Sequence, residues 1–75
     1  MPDLSIMKPA EMLRRLRRLA SKRGWDLVET EGASHTKVTL NGNRTLIGRH
    51  PKDIKIGTFQ GILKQLGLQQ SDLED

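Results

Sequence analysis

The chain has 75 residues, with 13 Lys and Arg against 9 Asp and Glu for a net charge of +4, and no cysteine. One domain over 1–75 is expected, with its core at about 8–68, and so short a chain buries only about 60% of its unfolded surface, which excludes a deep enclosed active site. Neither a disulfide framework nor a thiolate zinc site can form, the two histidines show no metal-ligand spacing, and no apolar run approaches a signal peptide or a membrane span, so the expectation is a cytoplasmic protein with no cofactor, no metal and no membrane partner.

Pro9 suits a first helical turn, and from there Met12, Leu13, Leu16, Leu19 and Ala20 recur at helical spacing as one apolar stripe. Glu11 near the start and Lys22 and Arg23 near the end fit the helix dipole, and Gly24 is a fitting stop. The other face carries Arg14, Arg15, Arg17 and Arg18, which reads equally well as a solvated face and as a contact surface for nucleic acid or an acidic partner.

Residues 25–29 read as a first strand with Trp25 and Leu27 on one face, and Gly32 marks the turn into a second. In that second strand Val38 and Leu40 share the core face while His35, Lys37 and Thr39 share the other. Asn41-Gly42 or Gly42-Asn43 can form a two-residue hairpin turn into a third strand at 45–47, which Pro51 ends after Gly48, Arg49 and His50. A two-residue turn pairs positions of opposite parity, so Ile47 joins Val38 and Leu40 in the core and His50, in a regular strand, lies on the His35 face.

Residues 52–57 form a basic connection whose Lys52 and Lys55 precede a second helix, with Thr58 expected as its N-cap. Phe59, Ile62, Leu63 and Leu66 make the core stripe of that helix, and Gly67 followed by Leu68 resembles a glycine C-cap with its apolar contact. The polar, acidic tail at 69–75 is expected to be flexible. The fold class is therefore α+β, in the order α-β-β-β-α, with both helices on one face of a three-stranded antiparallel sheet. Trp25, Leu27, Val38, Leu40, Ile47, Phe59, Ile62, Leu63 and Leu66 are expected to be buried with Met12, Leu13, Leu16 and Leu19, leaving His35 and Lys37 on an open sheet face.

The last four residues hold three of the nine acids, so the remainder carries 13 basic residues against 6 acidic, or +7. Such a balance points to a polyanion or an acidic protein as partner. Trp25 and Phe59, the only aromatics, both sit in apolar patterns. No stacking platform is on offer, and RNA would be held through phosphates, sugars and shape. Each helix commits its stripe to the core, and the basic face of the first lacks Asn or Gln for reading bases, which argues against a DNA-reading helix.

The run Gly24-Trp25, then Gly32-Ala33-Ser34-His35-Thr36-Lys37, then Arg49-His50-Pro51, then the block from Ile56 to Leu68 resembles the HicA family of mRNA interferase toxins over roughly residues 8 to 68. The resemblance implies a small double-stranded-RNA-binding-like domain, mRNA as substrate, a cognate HicB-like antitoxin as partner, and catalysis by the histidine that follows the glycine turn, here His35. Two positions depart from the family pattern: Ala33 lengthens the glycine-serine-histidine triplet, and Gly48 stands where many members have proline.

RNA carries its own nucleophile in the 2′-hydroxyl, so cleavage needs a base, a positive environment for the phosphorane and help for the leaving oxygen. An imidazole, with an ordinary pKa of about 6.5, serves as such a base near neutral pH. Lys37 and Arg49 are the candidates for stabilising phosphate charge, with Lys52 and Lys55 as more distant phosphate contacts. His50 is either the acid or a structural cap on the turn before Pro51. The leading expectation is a metal-independent endoribonuclease toxin. The alternative is a non-catalytic RNA-binding module using the same face, in which the same residues only contact phosphates and the 2′-hydroxyl; the plainest reading of His35 is a surface histidine with no task.

Overall fold

The computed structural model describes residues 5–49 and 52–73 of the chain. In chain order these form β1 (Ser5–Met7), α1 (Pro9–Arg23), β2 (Leu27–Glu31), β3 (His35–Leu40), β4 (Asn43–Gly48), β5 (Ile54–Lys55), α2 (Ile56–Leu66) and a single 3-10 turn at Gln70–Leu73. Strands β2, β3 and β4 make an antiparallel sheet with β3 in the centre, while β1 and β5 pair in a separate two-stranded ribbon.

The β3–β4 hairpin fixes the sheet. Asn41 and Gly42 both take positive φ, at 51° and 87°, the combination that matches a two-residue turn to the right-handed twist of its strands. Leu40 therefore pairs with Asn43, Val38 with Thr45, Thr36 with Ile47 and His35 with Gly48. That register turns Thr36, Val38 and Leu40 inward together with Thr45 and Ile47, all of them buried, and turns His35 and Lys37 outward.

Helix α1 begins at Pro9, whose missing N–H is no loss in a first turn, and ends on left-handed Gly24. Helix α2 closes with a paired cap around Gly67: the Leu68 N–H donates to the Leu63 carbonyl at 2.8 Å and the Gly67 N–H to the Lys64 carbonyl at 3.2 Å. Asn43 then donates from Nδ2 to the Leu66 carbonyl at 3.0 Å, satisfying an end group that the helix itself cannot. Met12, Leu16, Leu19 and Ala20 of α1 and Phe59, Ile62, Leu63 and Leu66 of α2 meet Val38, Leu40 and Ile47 in one core. Both helices thus cover the same face of the sheet and leave the other face open.

Several sequence expectations shift. The first strand starts at Leu27 rather than Trp25, and Trp25, Leu27 and Leu13 are half-buried around the core. Trp25 instead lies beneath the Arg23 guanidinium, 5.1 Å from ring centroid to charge. The N-cap of α2 is Lys55, not Thr58, because buried Ile54 is drawn into pairing with Met7 and the helix starts directly after that strand. The tail does not fall away at 69. Leu73 is buried at 6% exposure, Asp72 accepts the Gln69 N–H at 2.8 Å, and Arg23 reaches Asp72 at 2.7 Å. A lone leucine with a local cap and a cation on α1 suffices to fold that segment back onto the helix.

Candidate active site

Two hairpin tips and a register determine what the open face presents. Down the central strand run His35, Lys37 and Thr39; Val28 and Thr30 of β2 flank them on one side, and Arg44 and Leu46 of β4 on the other. His35 is exposed at the end of β3, beside a shallow depression of about 400 Å³ lined by Thr30, Gly32, Ser34, Lys37 and Leu46 among others. A second depression, about 440 Å³, continues from Lys37 along Arg44 and Leu46 to Gln65. Lys37 belongs to both and joins them into one track across the face.

The β2–β3 tip that carries His35 is closed by the Gly32 N–H donating to the His35 carbonyl at 2.8 Å, around Ala33 and Ser34. Glycine is required here for space, since a Cβ at position 32 would lie 2.9 Å from that carbonyl oxygen. The extra Ala33 is absorbed at the exposed tip of this turn.

The charges are distributed unevenly. Glu11 accepts from Arg14 at 2.6 Å and from Arg15 at 2.7 Å, and these two guanidinium groups, Arg14 first, hold its carboxyl down at about 2. Arg17 forms a two-pronged pair with Glu29 at 2.6 and 2.7 Å, linking α1 to β2, and that pairing raises the guanidinium pKa further. The arginine-rich face of α1 is thus partly neutralised by the chain itself, with Arg17 matched by Glu29 and one carboxylate, Glu11, shared by Arg14 and Arg15. Lys37 and Arg44 pair with no carboxylate among the described residues. Two cations without a carboxylate partner thus lie on the open sheet face that carries His35.

Of the residues singled out from sequence, His35 and Lys37 come together on this face. Arg49 does not: it follows β4 on the opposite side of the sheet, in a hollow of about 280 Å³ lined by Pro9, Ala10, Leu13, Glu31, Thr36 and Gly48. Lys55 belongs to the β1–β5 ribbon and Lys52 to the bend before it, and neither is on the three-stranded sheet. His50 lies outside the described residues. Arg44 escaped the sequence reading, although the parity of the Asn41-Gly42 hairpin places it beside Thr39 on the open side. Among the described residues no three His, Cys, Asp or Glu side chains gather as metal ligands, and no helix is long and apolar enough to cross a membrane.

Fold and face together define a small basic α+β domain with a histidine-bearing, cationic open sheet. The family model described as HicA toxin of bacterial toxin-antitoxin matches residues 13–68. The chain belongs to that family: it is the toxin of a toxin–antitoxin system, and an antitoxin is its partner. No curated protein and no solved structure matched the chain.

Proposed function

We propose that this toxin is a metal-independent endoribonuclease acting on mRNA, with His35 as its general base. The observation that supports this best is the exposed imidazole at the end of β3, two residues from Lys37, which pairs with no carboxylate among the described residues, on the open face of the three-stranded sheet. The His35 nitrogen takes the 2′-hydroxyl proton, the 2′-oxygen attacks the adjacent phosphorus, and the bond to the 5′-oxygen breaks. The products are a 2′,3′-cyclic phosphate and a 5′-hydroxyl, the leaving oxygen taking its proton from solvent or from His50. Lys37 offsets the charge that builds on the phosphorane. Arg44 holds a phosphate of the flanking chain on the same face, and Lys52 and Lys55, off the three-stranded sheet, serve as more distant phosphate contacts.

The same face is the natural target of inhibition, because among the described residues both helices pack on the other side of the sheet. Val28 and Leu46 are both 56% exposed on either side of Lys37 and Thr39. An acidic, HicB-like antitoxin would bury these two side chains and neutralise Lys37 and Arg44, covering His35 as it does so.

Cleavage of an mRNA fragment in excess chelator tests the reaction directly. Cutting persists, the upstream product ends in a 2′,3′-cyclic phosphate, and a single 2′-deoxy nucleotide at the cut site abolishes cleavage there. Loss of cutting in chelator, or cleavage of the 2′-deoxy substrate, overturns the mechanism and leaves an RNA-binding module as the better account.

A further inference from the structure

Arg49 carries a guanidinium next to the hairpin that presents His35, yet on the wrong side of the sheet to meet the same phosphate. The ladder continues one step past β4, with the Arg49 N–H donating to the Ser34 carbonyl at 2.9 Å. By the register that pairs Thr36 with Ile47, residue 49 falls on the helix-covered side. The hollow it lines contains Pro9, Leu13 and buried Thr36, whereas the depression beside His35 contains Lys37 and Leu46 and excludes Arg49.

The side chain is already engaged there. Its Nη1 donates to the Gly32 carbonyl, and Nη2 stands 3.9 Å from the Glu31 carboxylate. Gly32, Ala33, Ser34 and His35 are all exposed, so no apolar packing holds this tip in place. Beyond the strand pairing that ends with Glu31 opposite Thr36 and His35 opposite Gly48, the tip is held by the turn closure from Gly32 to His35, by the Arg49 backbone N–H on the Ser34 carbonyl and by the Arg49 side chain on the Gly32 carbonyl.

We infer that Arg49 is a positioning residue, which fixes the β2–β3 tip from behind the sheet and thereby holds the His35 imidazole at the height and angle that the 2′-hydroxyl requires. This rests on the proposed chemistry of His35 and adds the device that aims it. A base displaced by about 1 Å loses on the order of 10²-fold in rate, so a tip held by hydrogen bonds alone is a sensitive point. A guanidinium suits this post because its fork reaches a carbonyl and a carboxylate at once.

The test compares wild type, Arg49→Ala and Arg49→Lys in full-length protein. Single-turnover cleavage falls at least tenfold in Arg49→Ala and recovers in part in Arg49→Lys, while KM changes less than twofold. RNA affinity measured in a His35→Ala background, where nothing is cut, keeps its salt dependence when Arg49 is also replaced. If Arg49 were instead a phosphate contact, KM would rise at constant kcat and the slope of log affinity on log salt would drop by about 0.7, the value for one phosphate on a single strand; either result overturns the inference. Amide exchange separates this from the fate of the ribonuclease reading. In Arg49→Ala the Gly32 N–H exchanges at least tenfold faster while Val38, within the sheet, is unchanged. Unchanged exchange at Gly32 overturns the positioning role whether or not the wild type cuts RNA.

Discussion

Replacing Gly32 by alanine strains the His35 tip without touching any side chain of the site. The added Cβ would lie 2.9 Å from the His35 carbonyl oxygen, where ordinary van der Waals contact begins at 3.4 Å. The obstacle is backbone and cannot rotate away, so the carbonyl must retreat by about 0.5 Å, the shortfall between those two distances. If about 1 Å of misplacement costs on the order of 10²-fold, half of that costs about tenfold in kcat. Stability moves little, because Gly32 does not have positive φ and alanine reduces the freedom of the unfolded chain by about 0.4–1 kcal/mol. That gain partly offsets the local strain, and Tm should stay within about 8 °C of wild type. The assay is single-turnover cleavage of an mRNA fragment beside a thermal melt. Full activity in Gly32→Ala would refute the claim that the closure from Gly32 to His35 sets the position of the base.

Leu73→Ala should lower stability by about 2 kcal/mol, hence Tm by roughly 10 °C, because Leu73 is buried at 6% exposure; a melt within 2 °C of wild type would return the tail to solvent. Acid should destabilise the fold through Glu11, whose carboxyl is held at about 2 against an ordinary 4.5. The unfolded state then binds more protons, so the contribution is complete above pH 4.5 and lost as pH falls toward 2. Asp72, lowered by the Gln69 N–H and then by Arg23, acts in the same direction, and Glu11→Gln should flatten the acid limb of Tm against pH, an effect that shrinks in salt. For the antitoxin, Leu46→Asp should weaken the complex at least tenfold, and replacing Lys37 and Arg44 by Gln should flatten its salt dependence, whereas Arg17→Gln should change affinity less than twofold. A salt dependence carried by Arg17 instead would move the interface to α1.

What could be seen in the sequence was local. Asn41-Gly42 specifies its own turn, the turn specifies the register, and the register settles that His35 and Lys37 face out while Ile47 faces in. Gly24 and Gly67 likewise mark the helix ends by backbone geometry alone. What escaped depends on distant partners. β1 and β5, with 3 and 2 residues, are too short to show a period and exist because they meet. Leu73 is one leucine among polar residues, and its burial needs α1 and Arg23 to be in place. The neutralisation of Arg17 by Glu29 joins a helix to a strand, and no pattern within either element reveals it. Arg49 was legible as a cation but not as a support, since its side of the sheet follows only once the ladder is known to continue beyond Gly48.

The central claim is that His35 removes a proton and does not merely contact RNA. His35→Ala separates the two when cleavage and binding are measured on one mRNA fragment, at neutral pH and in chelator. An exposed strand position contributes little to stability, and phosphate-driven binding depends on many cations. Affinity and Tm should therefore remain near wild type, while the cleavage rate falls by about 10²–10⁴-fold, the usual contribution of a general base. Cleavage by His35→Ala at the wild-type rate would contradict the account.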